Sequence, residues 1–182
     1  MRTLYLERST GECRSGDWVE KLDLEDVGRI VVGQGPGSFA GVRSALAFAQ
    51  GYALGRSCEV LGLPSPCAVA GDWFAENAPG PLAVVGDARQ GMFWIALFDG
   101  RRLVGDVFQV TKDQLALRVP MSAPVVSPDD RRIGATLKEL FADNYKGERL
   151  PTTAGLERYE KADPSRLVRE PLPIYLNPAV RT

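Results

Sequence analysis

Histidine is missing altogether from the 182 residues, and that one absence removes several chemistries together. Ser-His-Asp and Cys-His activation of a nucleophile need an imidazole, as do the commonest general base near neutral pH and histidine-ligated metals. Self-contained catalysis would have to rest on carboxylates, Lys, Tyr or Cys, and no pair of acids stands in a context that marks it for such work. No catalytic residue, cofactor or metal ligand is therefore assigned. Charge of one sign is also missing: 22 basic residues face 23 acidic ones. A protein that grips RNA alone usually carries a basic face, so any nucleic-acid role is expected to be indirect. Cysteine is scarce, and Cys13, Cys58 and Cys67 lack CxxC spacing, which reads as reduced thiols. Long apolar runs are absent too, at the start Met1-Arg2-Thr3-Leu4-Tyr5-Leu6-Glu7 and beyond, so a cytoplasmic protein without a membrane partner is expected.

What is present concentrates at one junction. The apolar run Ile30-Val31-Val32 is followed by Gly33-Gln34-Gly35-Pro36-Gly37-Ser38-Phe39-Ala40-Gly41-Val42-Arg43 and then an Ala-rich stretch, so a strand turns through glycines into a helix. Glycine tolerates positive φ and brings bare N–H groups together, while Pro36 fixes one φ and removes one donor. Ser38 suits the N-cap of a helix running to about Gly55.

Around this junction the chain divides in two. Residues 1–80 hold an apolar stub at Leu4–Leu6, the strand at Ile30, the glycine turn and its helix, a short strand at Val60–Leu63, and a second helix opened by Ser65-Pro66. Asn77-Ala78-Pro79-Gly80-Pro81 marks the boundary. Residues 81–182 open with three antiparallel strands, two of them joined at Asp99-Gly100. A short helix near Lys112–Leu117, a strand at Val125-Val126 and a helix from about Asp129 with Ile133, Leu137, Leu140 and Phe141 inward come next. Beyond Asn144 the composition turns polar and proline-rich, and the tail from Glu170 reads as extended. Leu6-Glu7 with Gly11, and Gly86-Asp87 with Gly91, form a faint echo between the halves.

The glycine turn admits two readings. Gly35, Gly37 and Ser38 satisfy a relaxed G-x-G-x-x-A pattern and form a candidate anion site. The acid expected about 20 residues on has no match at a strand end, and no Lys follows to make a P-loop. A tight turn that seats a helix on a sheet is the alternative. The helix itself carries two apolar sides, Phe39, Val42, Leu46, Ala49 and Ala53 on one and Ala45, Phe48 and Tyr52 on the other. Small residues Ala40, Ser44, Ala47 and Gly51 lie between, beside Arg43 and Gln50. Such a helix is either fully buried or packs on a partner as well as on its own sheet.

The segment Gly35-Pro36-Gly37-Ser38-Phe39-Ala40-Gly41-Val42-Arg43 closely resembles the GPGSFTGLR signature of the TsaB (YeaZ) family. Asp87-Ala88-Arg89-Gln90-Gly91 resembles that family's DAR-x-G turn, and Pro173-Ile174-Tyr175-Leu176 its P-x-YLR ending. The resemblance implies an α/β fold of the ASKHA class, actin-like and ribonuclease-H-like, in two lobes. It also implies a noncatalytic platform for a TsaD-like catalytic subunit, working with a TsaE-like ATPase to form N6-threonylcarbamoyladenosine in tRNA. tRNA would then be met only through the complex, and the protein alone would pair as a homodimer. Phe39, Val42, Arg43, Leu46, Ala47 and Gln50 become the expected partner interface, and Glu7 and Asp87 the expected vestigial nucleotide-site carboxylates. Glu7-Arg8-Ser9-Thr10 stands where the family has an Asp-Thr-Ser-Thr-like turn. Only about twenty residues then lead to the strand at Ile30, too few for a hairpin and a helix, so the first lobe is expected to be truncated. A nucleotide-binding ASKHA enzyme and a divergent self-associating relative are the alternatives.

Overall fold

The computed structural model describes residues 1–10 and 16–176; Gly11 and Cys13, used above, and the end of the tail lie outside them. Two sheets organise the chain. The first takes β1 (Arg2–Leu6), β2 (Val27–Gly33) and β3 (Glu59–Leu63) in parallel, with β9 (Val168–Arg169) antiparallel on β3. In β2 the run Ile30, Val31 and Val32 is wholly buried. That is the signature of a parallel strand covered on both faces. Helix α1 (Phe39–Ala53) joins β2 to β3, and α2 (Ser65–Glu76) follows β3.

The second sheet contains β4 (Leu82–Arg89), β5 (Met92–Asp99), β6 (Arg102–Val110), β7 (Val125–Ser127) and β8 (Tyr145–Glu148), in the spatial order β6-β5-β4-β7-β8. The first three form the antiparallel meander expected from the sequence, turning at Asp99-Gly100. Strands β7 and β8 run parallel to β4. Helix α3 (Lys112–Arg118) is closed by a capping box between Thr111 and Gln114. Helix α4 (Asp130–Phe141) buries Ile133 and Leu137, with Leu140 and Phe141 only partly covered.

Between β8 and the tail lies α5 (Thr153–Ala162), where the polar composition predicted no regular structure. Thr152 caps it by accepting from the Gly155 N–H, and Leu156 and Tyr159, three apart, are fully buried. With α5 in place the two halves become duplicates. The series β1, β2, α1, β3, α2 matches β4, β7, α4, β8, α5 in order and connection. Strands β5 and β6 and helix α3 have no counterpart among the described residues of the first half, where a 3-10 helix at Gly16–Lys21 fills the link. The first lobe is thus the truncated one.

The chain's last described residues cross back. Strand β9 joins the first sheet and residues 170–176 lie along the first lobe, so the expected assignment of the whole stretch 81–182 to the second lobe is corrected at 168–176. The core falls into three clusters. One lies between α1 and the first sheet, one under α3 and α4, and the largest between the two sheets around α2 and α5. In that last cluster the α2–α5 crossing is very close, because a Cβ added to Gly71 would meet the Gly155 carbonyl and one added to Gly155 would meet the Ala68 carbonyl. Arg29, Tyr5 and Glu160 tie the first sheet to α5, with the Tyr5 hydroxyl donating to Glu160 at 2.6 Å and Arg29 paired to the same carboxylate.

Candidate partner face and interlobe cleft

The glycine turn is held by its own neighbours. The Gly35 N–H donates to Ser65 Oγ at 2.9 Å, the Ser38 N–H to the Ser9 carbonyl at 2.5 Å, and the Gly41 N–H to Ser38 Oγ at 3.3 Å. Gly35 takes φ of 82° and its peptide to Pro36 is cis. A side chain at Gly37 would collide with the Ser9 backbone. Ser65 thus serves the turn and does not cap α2, whose N-cap is Pro64 without a side-chain bond. The donors at Gly35 and Ser38 that made the turn a candidate anion site are engaged in seating α1, which favours the structural reading of the motif.

Glu7 follows β1 and points into the protein. Its carboxyl packs against Gly33 and accepts from the Ser9 N–H at 2.7 Å. Burial raises its pKa, with hydrogen bonds from Ser9 and Ser65 pulling the other way. Asp87 is elsewhere, on the wall of a cleft of about 1160 Å³ between the lobes. Its carboxylate takes Arg132 at 3.3 Å and Arg89 at 3.5 Å, and the Asp87 N–H donates to Asp129 at 2.9 Å. Burial raises the Asp129 carboxyl as well. Across the cleft Arg8 lies over the Trp18 ring at 4.3 Å. Glu7 is not itself part of the cleft lining, whereas its neighbours Arg8, Ser9 and Thr10 are. Among the described residues no group of three or more His, Cys, Asp or Glu is placed to hold a metal ion, and no helix is long and apolar enough to cross a membrane.

Helix α1 divides its expected interface residues. Val42 and Leu46 are 4% and 3% exposed, packed with Ile30 and Val32 of β2. Burial of such a side chain stabilises the fold by about 1.5–3 kcal/mol, and these two are corrected from partner contacts to core. Phe39, Arg43, Ala47 and Gln50 are exposed, at the i, i+4, i+8, i+11 spacing of a single helix face. Phe39 is 59% exposed and the C-cap Leu54, which extends the same row, is 79% exposed. Arg43 stacks on Phe39, its guanidinium 4.8 Å from the ring centre. Leu54 and the neighbouring tail residues Leu172 and Tyr175 were missed by the sequence reading. The aromatic residue in Pro173-Ile174-Tyr175-Leu176 was the available signal.

A duplicated pair of ribonuclease-H-like halves around an interlobe cleft defines an ASKHA-like α/β protein. Comparison with known families sharpens this. The model of TsaD, tRNA N6-adenosine threonylcarbamoyltransferase, matches residues 19–129, and the chain belongs to that family, on its TsaB/YeaZ side. The chain is 40% identical over 73 residues to Escherichia coli "tRNA threonylcarbamoyladenosine biosynthesis protein TsaB", a match covering 39% of this chain and 31% of that protein. It is 34% identical over 92 residues to an uncharacterized Mycobacterium tuberculosis protein, covering 50% and 42%. The matches thus span between 31% and 42% of the length of these curated relatives. YeaZ of Pseudomonas aeruginosa superposes with a TM-score of 0.72 at 21% identity, covering 96% of this chain and 99% of that one. A second Pseudomonas aeruginosa structure, described as similar to peptidase YeaZ, gives 0.75 at 19%. These two establish the likeness of fold.

Proposed function

We propose that this chain is a noncatalytic partner subunit in the formation of N6-threonylcarbamoyladenosine in tRNA, docking a TsaD-like catalytic subunit through the exposed row of α1. The row Phe39, Arg43, Ala47, Gln50 and Leu54 carries the reading. It sets Phe39 and Leu54 in water at its two ends, with Arg43, Ala47 and Gln50 exposed between them, on a helix whose opposite side already fills the core. Isolated exposed apolar residues need no explanation, but Phe39 in contact with Arg43 and with the exposed Tyr175 of the tail forms a cluster of the kind that marks an interaction surface. The balanced charge, 22 basic against 23 acidic, fits contact with tRNA only through the complex, where a TsaE-like ATPase would also act. The same face is the place where two copies would pair in the absence of the catalytic subunit.

The reading is tested by mixing the purified chain with its cognate TsaD-like subunit and measuring co-elution and affinity. Wild type should form a stable complex. Ala47→Arg, which sets a long charged side chain in the middle of the row, should weaken it by about a hundredfold or more, the scale at which a central interface position acts. Separate elution of the wild-type proteins at micromolar concentration would sink the proposal.

A further inference from the structure

The α1 row does not stand alone. After β9 the chain runs as a strap, residues 170–176, along the same helix in the opposite direction. The Gln50 Nε2 donates to the Pro171 carbonyl at 3.3 Å, near the helix end, and Tyr175 meets Phe39 at its start, ring centres 5.8 Å apart. From Phe39 to Gln50 the helix rises roughly 16 Å, the length that five extended residues cover. Midway, Gln34 grips the strap twice. Its side chain donates to the Leu172 carbonyl at 2.8 Å and its backbone carbonyl accepts from the Ile174 N–H at 2.9 Å. Gln34 itself is only 5% exposed and its N–H is spent on the Leu63 carbonyl. The strap is therefore built onto the first lobe by a buried side chain next to the glycine turn, while its own Leu172 and Tyr175 stay 70% and 55% exposed.

We infer that the strap is the second wall of the docking surface, and that the stack of Arg43, Phe39 and Tyr175 is its anchor point. This rests on the docking reading above. The occupant is an apolar helix of the TsaD-like subunit with a carboxylate opposite Arg43. The small residues Ala40, Ser44, Ala47 and Gly51 admit a helix closely, and the exposed residues of α1 include a cation at Arg43 but no acid. An aromatic pair joined to an arginine on a helix–strap edge is the type of cluster that dominates interface energetics.

The test titrates the cognate TsaD-like subunit against the full chain and three variants by calorimetry, with light scattering on each protein alone. Tyr175→Ala should weaken binding by about tenfold or more, as truncation of an aromatic anchor does. Gln34→Leu should also weaken binding, because it frees the strap, and thermal unfolding of each variant checks that the fold persists. Ala47→Arg serves as the control on the face itself. Loss of binding in Ala47→Arg with wild-type affinity in Tyr175→Ala would overturn the strap inference and leave the docking reading standing. Wild-type affinity in Ala47→Arg would overturn both. Tighter binding in Tyr175→Ala would mean that the strap covers the face, and dimers dissolved by Tyr175→Ala in a protein that ignores the catalytic subunit would place a second copy there; either result also overturns the inference.

Discussion

Two residues of the glycine turn show how little of its role is chemical. Gly37 faces the Ser9 backbone with no room for a side chain, and Ser38 spends its hydroxyl on the Gly41 N–H. Glu7 is the costly member of the group, a carboxyl buried against Gly33. Because desolvation raises its folded pKa above the ordinary value of about 4.5, the protonated form is the one the fold favours. Its contribution is complete below the unfolded pKa and is lost as pH rises through the folded one. Wild-type stability should fall as pH is raised from about 4 toward 8 by more than that of Glu7→Gln, in urea unfolding followed at each pH. Equal slopes in the two proteins would show that the carboxyl does not titrate between the states. The turn itself was readable in the sequence because glycine spacing and an N-cap serine act locally. The identity of its partners was not, since Ser9 and Ser65 come from other elements.

At the scale of elements, the crossing of α2 and α5 leaves no room for a side chain at the glycine of either helix. Gly71 and Gly155 each approach a carbonyl of the facing helix, and the Thr152 hydroxyl donates to Asp72 at 2.6 Å at one end of the seam. Gly155→Ala should lower stability by about 1–3 kcal/mol or more, the usual cost of overpacking, and the shift in urea midpoint measures it. An unchanged midpoint would mean that the helices part without loss. The meander β4–β6, with its Asp99-Gly100 turn, and α1, with its Ser38 cap, follow from short-range pattern. Helix α5 escaped the reading because its ten residues hold only Leu156 and Tyr159 as large apolar side chains that are buried. Its stability comes from α2 rather than from its own periodicity.

At the scale of the whole molecule, duplication of a strand-helix core has left two unequal lobes. The smaller sheet recruits β9 and the strap from the far end of the chain. Of the charges that line the cleft between the lobes, Asp87 is paired with Arg132 and Arg89. We expect no rise in melting temperature with ATP, ADP and magnesium at about millimolar concentration, since a ligand that binds the native state must stabilise it. A clear, saturable rise would revive the nucleotide-binding alternative and assign the cleft a ligand.

Sequence alone determined the glycine turn, the helix it opens, the antiparallel meander and, through the signature Gly35 to Arg43, the family. Each of these is specified within a dozen or so neighbouring residues, by backbone freedom at glycine, by capping and by hydrophobic period. Tertiary structure decided which side of α1 faces water, turning Val42 and Leu46 inward and Phe39, Arg43, Ala47 and Gln50 outward. It also decided the α2–α5 seam and the course of the strap. Those features rest on contacts such as Gln34 with Leu172, 138 positions apart, and Arg29 with Glu160, 131 apart. Pairings over such separations are selected by packing of the folded chain, and no local pattern encodes them.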